Sequence, residues 1–476
     1  MKRFIEGANR DQWILMPERL DDFIGDDNPV RAVDAYVESL DLRGLGFRGA
    51  EPCATGRPAY HPSVLLKLYI YGYLNRIQSS RRLELETQRN VEVMWLLERL
   101  TPDFKTIADF RKENGKAIRG VCREFVFLCR RLDLFSQATV AIDGSKFKAV
   151  NNRDKNFTPA KLKRRLEQIE ASIDRYLSQL DTADRQEPAI AEARTERLQE
   201  KIAALKEEQQ HLRELEAQVQ EAPDKQVSLT DPDARSMKTR GSGIVGYNVQ
   251  TAVDVEHHLI VAHEVINTGS DRNALFSMAT QTREAMNTDE LLVVADRGYY
   301  KGEEILACEE SGITTVLPKA KTSNNPTNGL FGRDDFRFIP EDNEYVCPAG
   351  ERLIWRFRNV EKGKTLDCYW SSACQSCAIK SQCTSGQHRR IRRWEHQSVL
   401  DKVQRRLDYC PESMRLRRQT VEHPFGTLKA WMGYTHFLTK TLPNVRAEMS
   451  LHVLAYNLKR VISLLGVPAL LKAVAA

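Results

Sequence analysis

The chain has 476 residues, 41% of them hydrophobic and 29% charged, enough core for roughly three domains at about 150 residues each. The start, Met1 to Trp13, is polar, and no unbroken apolar run reaches the roughly 18–20 residues that span a bilayer. Neither export nor membrane insertion is therefore expected, and the protein is placed in the cytoplasm. A net charge of +6 hides an uneven distribution. Thr384 to Arg460 carries fifteen Lys/Arg against six Asp/Glu, which suits a polyanion as well as a solvated helical surface.

Residues 1–135 read as all-helical. Val30, Val33, Val37 and Leu40 share one helical face, His61 to Ile77 is richly apolar, and Ser79-Ser80 supplies a cap before Leu83 to Leu100. Pro102 breaks the pattern, and Ile107 to Leu134 follows as one or two helices. Interleaved Arg76, Arg81, Arg82, Arg89, Lys105, Arg111 and Lys112 make a DNA-binding module compatible with this segment; many plain helical bundles look the same.

Ala138-Thr139-Val140-Ala141-Ile142-Asp143-Gly144 then reads as a buried strand that delivers a carboxylate at its end. Leu162, Leu166, Ile169, Ile173, Tyr176 and Leu180 alternate spacings of four and three, a heptad seam. Leu198, Ile202, Leu205, Leu212 and Val219 return with the same period, Gln209 and Glu216 filling the remaining seam positions and 183–188 the turn. This is an inserted antiparallel helical hairpin. Strands follow at Gly246–Val253 and Leu259–Val265, then a helix from Asp271 to Met286 with the Asp as its cap. Leu291-Leu-Val-Val-Ala295-Asp296-Arg-Gly298 repeats the strand-then-carboxylate design. A helix Lys301–Glu310 closed by Gly312 and a strand at Thr314–Leu317 complete the order. The expected fold is a mixed α/β sheet of the ribonuclease-H-like kind, its first and fourth strands side by side.

Cys347, Cys368, Cys374, Cys377 and Cys383 come next. Cys374-Gln-Ser-Cys377 has the bite of a tetrahedral zinc chelate, Cys383 follows closely, and Cys347 sits in a turn. Four thiolates would close such a site, so the Zn²⁺ expected here is structural; free thiols are the plain alternative, and Cys368 could replace Cys347. The other cysteines are scattered and read as core.

Met414 to Trp431 reads as a helix in which Arg418, Glu422 and Lys429 share a face, with Pro424 as a kink. Two strand-end Asp and a helical Glu make an all-oxygen pocket of the kind Mg²⁺ prefers. Two such ions would serve an in-line phosphodiester displacement. No P-loop, GxGxxG or Ser/His/Asp array competes.

On these motifs the chain resembles a bacterial insertion-sequence transposase of the DDE class, the eleven-eighty-two family. The likeness runs through Gly56-Arg57-Pro58-Ala59-Tyr60, Ser79-Ser80-Arg81-Arg82, Phe110-Arg111, Ile142-Asp143-Gly144, Gly246-Tyr247-Asn248-Val249-Gln250, Ala295-Asp296-Arg297-Gly298-Tyr299, the cysteines and Glu422. The wider clan's helix motif Tyr-x2-Arg-x3-Glu-x6-Lys is matched by Arg418, Glu422 and Lys429, while Arg415 stands where the Tyr belongs. The resemblance implies a helical DNA-binding domain (1–135), a catalytic core (136–157 and 240–325), the hairpin (158–222), a cysteine-rich zinc-knuckle insertion (326–390) and C-terminal helices completing the core (391–476). It implies Asp143, Asp296 and Glu422 as ligands of two Mg²⁺ or Mn²⁺ ions, and phosphate contacts from Arg418, Lys429, Arg297, Lys146 and Arg415. It further implies cut-and-paste transposition on double-stranded DNA by a homodimer or larger synapse. A ribonuclease-H-like nuclease that cuts without joining, and a domesticated DNA-binding regulator, are the competing readings.

Overall fold

The computed structural model describes every residue except 1–18, 53–57, 136–137, 151–154, 184–187, 223, 240, 242, 320–323 and 476, and for 181–183, 188–194 and 326 the backbone alone. Gly56, Arg57, Cys53 and the tip of the helical hairpin thus lie outside the described residues.

The N-terminal region consists of α1 (Pro29–Glu38), α2 (Pro62–Leu74), α3 (Ser80–Arg89), α4 (Val91–Leu96), α5 (Phe104–Glu113) and α6 (Gly115–Arg131). The helix expected over 83–100 is two helices, because the Asn90 side chain accepts from the amides of Glu92 and Val93 and starts α4 afresh. α2 is buried on all sides, which explains its unbroken apolar character.

The central region runs β1 (Thr139–Lys148), β2 (Asn156–Phe157), α7 (Pro159–Ala183), α8 (Pro188–Glu221), β3 (Val227–Ser228), β4 (Arg235–Met237), β5 (Ile244–Asp254), β6 (Ile260–Ile266), α9 (Leu275–Met286), β7 (Leu291–Ala295), α10 (Gly302–Glu310) and β8 (Ile313–Val316). The hairpin helices α7 and α8 pack on Leu162, Ile169, Ile173, Ile202, Leu212 and Val219 as the heptads require, and on Leu215. Leu215 is buried where the heptads placed Glu216, since a helix of 3.6 residues per turn drifts against a seven-residue repeat.

The sheet order is β4-β5-β1-β7-β8, with β6 pairing β5. β1 runs antiparallel to β5 and parallel to β7, and β7 parallel to β8. The first and fourth long strands are therefore neighbours, as expected. The last rung between them pairs Ile142 with Ala295, so the next residues, Asp143 and Asp296, emerge side by side where β7 leaves the sheet.

A second sheet, not foreseen from the sequence, holds β9 (Arg337–Ile339), β10 (Glu344–Val346), β11 (Arg352–Glu361), β12 (Lys364–Trp370) and β13 (Ile391–Trp394), all antiparallel. Its longest strand, β11, is studded with charges and exposed along much of its length, so the alternation that betrays a half-buried strand is absent.

The chain ends with α11 (Gln397–Tyr409), α12 (Ser413–Gly426), a π turn over Thr427–Trp431, α13 (Leu442–Leu465) and α14 (Val467–Ala475). α13 packs against α6, α2 and β6, so one apolar core joins the N-terminal helices to the sheet. Asn457 on α13 accepts from the Ile260 amide and donates to its carbonyl, both at 2.9 Å, and so satisfies the edge of β6. Among the described residues no helix is long and apolar enough to cross a membrane.

Candidate active site

α12 lies across β1 and β7 and brings Arg417 onto the paired aspartates. Arg417 Nη2 is 2.6 Å from Asp143 Oδ1 and 3.9 Å from Asp296 Oδ2. The arginine side chain is 14% exposed against 25% for Asp143 and 43% for Asp296, so the Asp143 pair is partly desolvated while Asp296 stays open to solvent. Burial pushes the Asp143 carboxyl up to about 6; Arg417 opposes that rise, and the neighbouring Asp296 and Asp271 add to it. Asp296 Oδ1 accepts the Gly298 amide at 2.7 Å, and Asp143 Oδ1 accepts the Gly144 amide at 2.9 Å.

Sequence spacing singled out Arg418, but Arg418 is exposed and Arg417 points inward. The signal was available: Val421, Pro424 and Leu428 are buried, and Arg417 continues their four-three-four stripe toward the helix start. Glu422 lies off that stripe. It is exposed, and among the described residues it forms no ion pair and no hydrogen bond. Nor do any three of His, Cys, Asp and Glu among the described residues stand close enough together to hold an ion. Between the two aspartates a guanidinium already occupies the place a cation would take.

The expected helix from Met414 to Trp431 is α-helical only to Gly426 and then widens into the π turn, where the Met432 amide reaches back to the Thr427 carbonyl at 2.8 Å. Lys429 sits on that turn. Its Nζ donates to Ser145 Oγ at 2.6 Å and to the Lys146 carbonyl at 3.2 Å, above the Phe147 ring. Burial lowers its pKa and Asp143 counters. Lys146 itself turns to the Lys238 carbonyl at 2.9 Å, and Arg297 and Arg415 are exposed.

Asp271, expected to cap a helix, does something else. α9 begins at Leu275 with Ala274 in the capping position. Asp271 Oδ1 instead accepts from Asn248 Nδ2 and Gln250 Nε2, each at 2.7 Å. Glycines make room for this crowding: a Cβ on Gly144 would stand 2.6 Å from Asp271 Oδ1, and one on Gly298 2.8 Å from Asp296 Oδ1.

Two further cavities lie outside this cluster. Arg272, Lys301, Lys319, Arg333, Lys364 and Arg392 line a cleft of about 630 Å³ where the start of α10 and the loop before α9 face the second sheet, with Glu303 in the same wall paired to Lys364. In the second sheet's neighbourhood, Cys347, Cys374, Cys377 and Cys383 all line one cavity of about 30 Å³. Cys368 is not among its walls; it is buried on β12 against Asn359. Burial raises the Cys383 thiol, with Arg389 opposing and the other three cysteines adding.

Residues 212–458 match the model described as a transposase DDE domain, and residues 18–113 match a transposase domain of the DUF772 type. No curated protein matches. One similar solved structure is the piggyBac transposase synaptic complex with hairpin DNA, at 9% identity over 92% of this chain and 75% of that one, with a TM-score of 0.30. With more than half its length matched by one family model, the chain belongs to the DDE transposases of insertion sequences, enzymes that act on DNA.

Proposed function

We propose that this transposase cuts DNA at transposon ends and joins them to target DNA through a divalent-metal centre built on Asp143 and Asp296, with Glu422 as third ligand. The observation that carries the reading is the parallel pairing of β1 with β7, which ends at Ile142 and Ala295 and sets the two carboxylates side by side. Antiparallel β6-β5-β1 beside parallel β1-β7-β8 supports a ribonuclease-H-like core. Two of the three donors are in place, since Asp143 and Asp296 together balance one cation, the Arg417 guanidinium; Glu422 stands exposed on the covering helix and would have to turn in. Bound there, a pair of Mg²⁺ or Mn²⁺ ions would activate the attacking oxygen and stabilise the leaving one.

The chain's own part is to place and to neutralise. Asp143 and Asp296 are held by the amides that follow them in sequence. Glu422, unpaired on the covering helix, is the ligand that the family resemblance assigns. Arg417, once displaced by metal, would be free to contact the scissile phosphate. Lys429, braced by Ser145, adds a second buried cation, and Arg418, Arg297, Lys146 and Arg415 contact phosphates further out. The cleft beside Asp271, with Arg272, Lys301 and Arg333 in its wall, would contact DNA phosphates further from the centre. Double-stranded DNA, in a synapse of two or more copies in the bacterial cytoplasm, is the partner.

Cys347, Cys374, Cys377 and Cys383 line one cavity without standing close enough to hold an ion as they are; a structural Zn²⁺ would draw the four thiolates together and pin the second sheet. Asp296→Ala should abolish cleavage of transposon-end DNA while leaving its binding largely intact, and undiminished cleavage would refute the assignment. Strand-transfer products on a supercoiled target separate this reading from a nuclease that only cuts.

A further inference from the structure

The GYNVQ motif of β5 has so far no task in the reaction, yet two of its side chains converge on one carboxylate. Gln250 cannot turn its amide round, because its Oε1 accepts the hydroxyl of the fully buried Tyr299. Its Nε2 is thereby committed to Asp271 Oδ1. Asn248 Nδ2 donates to the same oxygen and to the Thr268 carbonyl. Two amide donors and a buried tyrosine are a large investment for a loop residue four positions ahead of its helix.

The grip leaves the other oxygen free. Asp271 Oδ2 accepts no hydrogen bond among the described residues, and it lies 3.7 Å from the point above Gly298 that Asp296 Oδ1 flanks at 2.8 Å. Asp271 also belongs to the charges felt by Asp143 and by Tyr299. An independent sign comes from Asn248. Its side chain is completely buried, and its Oδ1 has no hydrogen-bond partner. That oxygen is turned toward Gly144, where a Cβ would meet it at 3.1 Å. A buried carbonyl oxygen without a donor is rare in a native fold. The coordinated water of a cation seated beside Asp143 is a donor of the right kind.

We propose that Asp271 is a further carboxylate of the Asp143–Asp296 centre, aimed by Asn248 and Gln250 to close on the divalent cation once Arg417 gives way; with Arg417 in place the three carboxylates do not stand close enough to hold an ion. This rests on the metal centre proposed above and adds a ligand to it. The opposing possibility is that Asp271 only organises the loop into α9. Asp271→Asn separates the two, since an asparagine carbonyl still accepts both amides while the charge is lost.

The test is direct binding of Mn²⁺ to the full chain without DNA, followed by calorimetry or by loss of the free-ion spin-resonance signal, on wild type, Asp271→Asn and Asp296→Asn. Asp271→Asn should weaken Mn²⁺ by about tenfold or more with an unchanged melting temperature in the absence of metal. An affinity within twofold of wild type, while Asp296→Asn loses binding, would overturn the proposal. If Asp296→Asn also binds normally, the metal centre itself fails. Fe²⁺ bound to the wild-type chain and treated with ascorbate and peroxide provides a readout free of substitutions. Backbone scission at 270–272 together with 143 and 296 supports the ligand, and scission at 143 and 296 alone removes it.

Discussion

The Arg417 guanidinium stands 2.6 Å from Asp143 and 3.9 Å from Asp296, pairing with both carboxylates proposed above to hold the metal. Metal uptake there would have to displace it, and a coupling of ordinary size between the two cations would be about 1–3 kcal/mol or about 5- to 150-fold. Arg417→Gln should therefore tighten Mn²⁺ binding by a factor in that range while slowing cleavage at saturating metal, because the same side chain no longer meets the phosphate. Equal Mn²⁺ affinity in mutant and wild type would show that the two cations do not compete.

Gly144 separates Asp143 from the Asn248–Gln250–Asp271 group, and an added methyl would strike the Asp271 carboxylate and the Gln250 amide. Gly144→Ala should cost about 1–3 kcal/mol of stability, the usual toll of overpacking, and should reduce cleavage more than DNA binding. Urea unfolding beside a cleavage and a gel-shift assay measures all three. Full cleavage with normal stability would mean that the group yields without consequence.

The two aspartates were legible in the sequence as a pair. The runs Thr139–Gly144 and Leu291–Gly298 each lead from apolar residues to an Asp, and the structure sets them on adjacent strands. Asp296 does follow the end of β7, but Asp143, expected to end its strand, lies in the middle of β1, which continues to Lys148 in its pairing with β5. The covering helix was legible as a helix but not in its rotation. Only the buried stripe through Val421, Pro424 and Leu428 decides between Arg417 and Arg418, and a motif spacing carries no information on which neighbour faces in. Asp271 was hidden for another reason. An Asp before a helix is ordinarily a cap, and its real partners lie 23 and 21 residues back on another strand. The second sheet escaped because its strands expose charge on both faces.

Lys429 is held by Ser145 and a backbone carbonyl over Phe147. If it neutralises one phosphate, Lys429→Met should weaken binding to transposon-end DNA and lower the slope of log affinity against log salt by about 0.9. A weaker complex with the wild-type slope would assign Lys429 to the packing of the π turn alone.

The cysteine cavity makes a compositional prediction. Purified protein should carry one zinc per chain by elemental analysis, released by a strong chelator with loss of the second sheet's protection from proteolysis. Cys374→Ser and Cys347→Ser should lose the metal, and Cys368→Ser should keep it, because Cys368 is not part of the cavity wall. Since the Cys383 thiol is raised by burial, uptake must release protons and weaken as pH falls. Zinc-free protein of normal stability would leave four thiols and no site.

Asp254 offers a test of the fold apart from the chemistry. At the far end of the β1–β5 ladder it pairs with Val140; its Oδ2 accepts the amides of Glu256 at 3.1 Å and His257 at 2.6 Å, and its buried Oδ1 has no partner. Burial pushes the carboxyl up to about 6, against the pull of those amides and of His257. An acid whose folded pKa is raised binds its proton more tightly when folded. Its contribution is complete below the unfolded value of 3.8 and is lost as pH rises through about 6. Asp254→Asn keeps an acceptor for both turn amides and carries no charge to bury. Each tenfold difference in proton affinity between the folded and unfolded chains is worth about 1.4 kcal/mol, so the variant should gain roughly 1–3 kcal/mol over wild type between pH 4 and pH 7.5. Parallel urea midpoints for the two proteins across that range would mean that Asp254 titrates alike in the folded and unfolded chains.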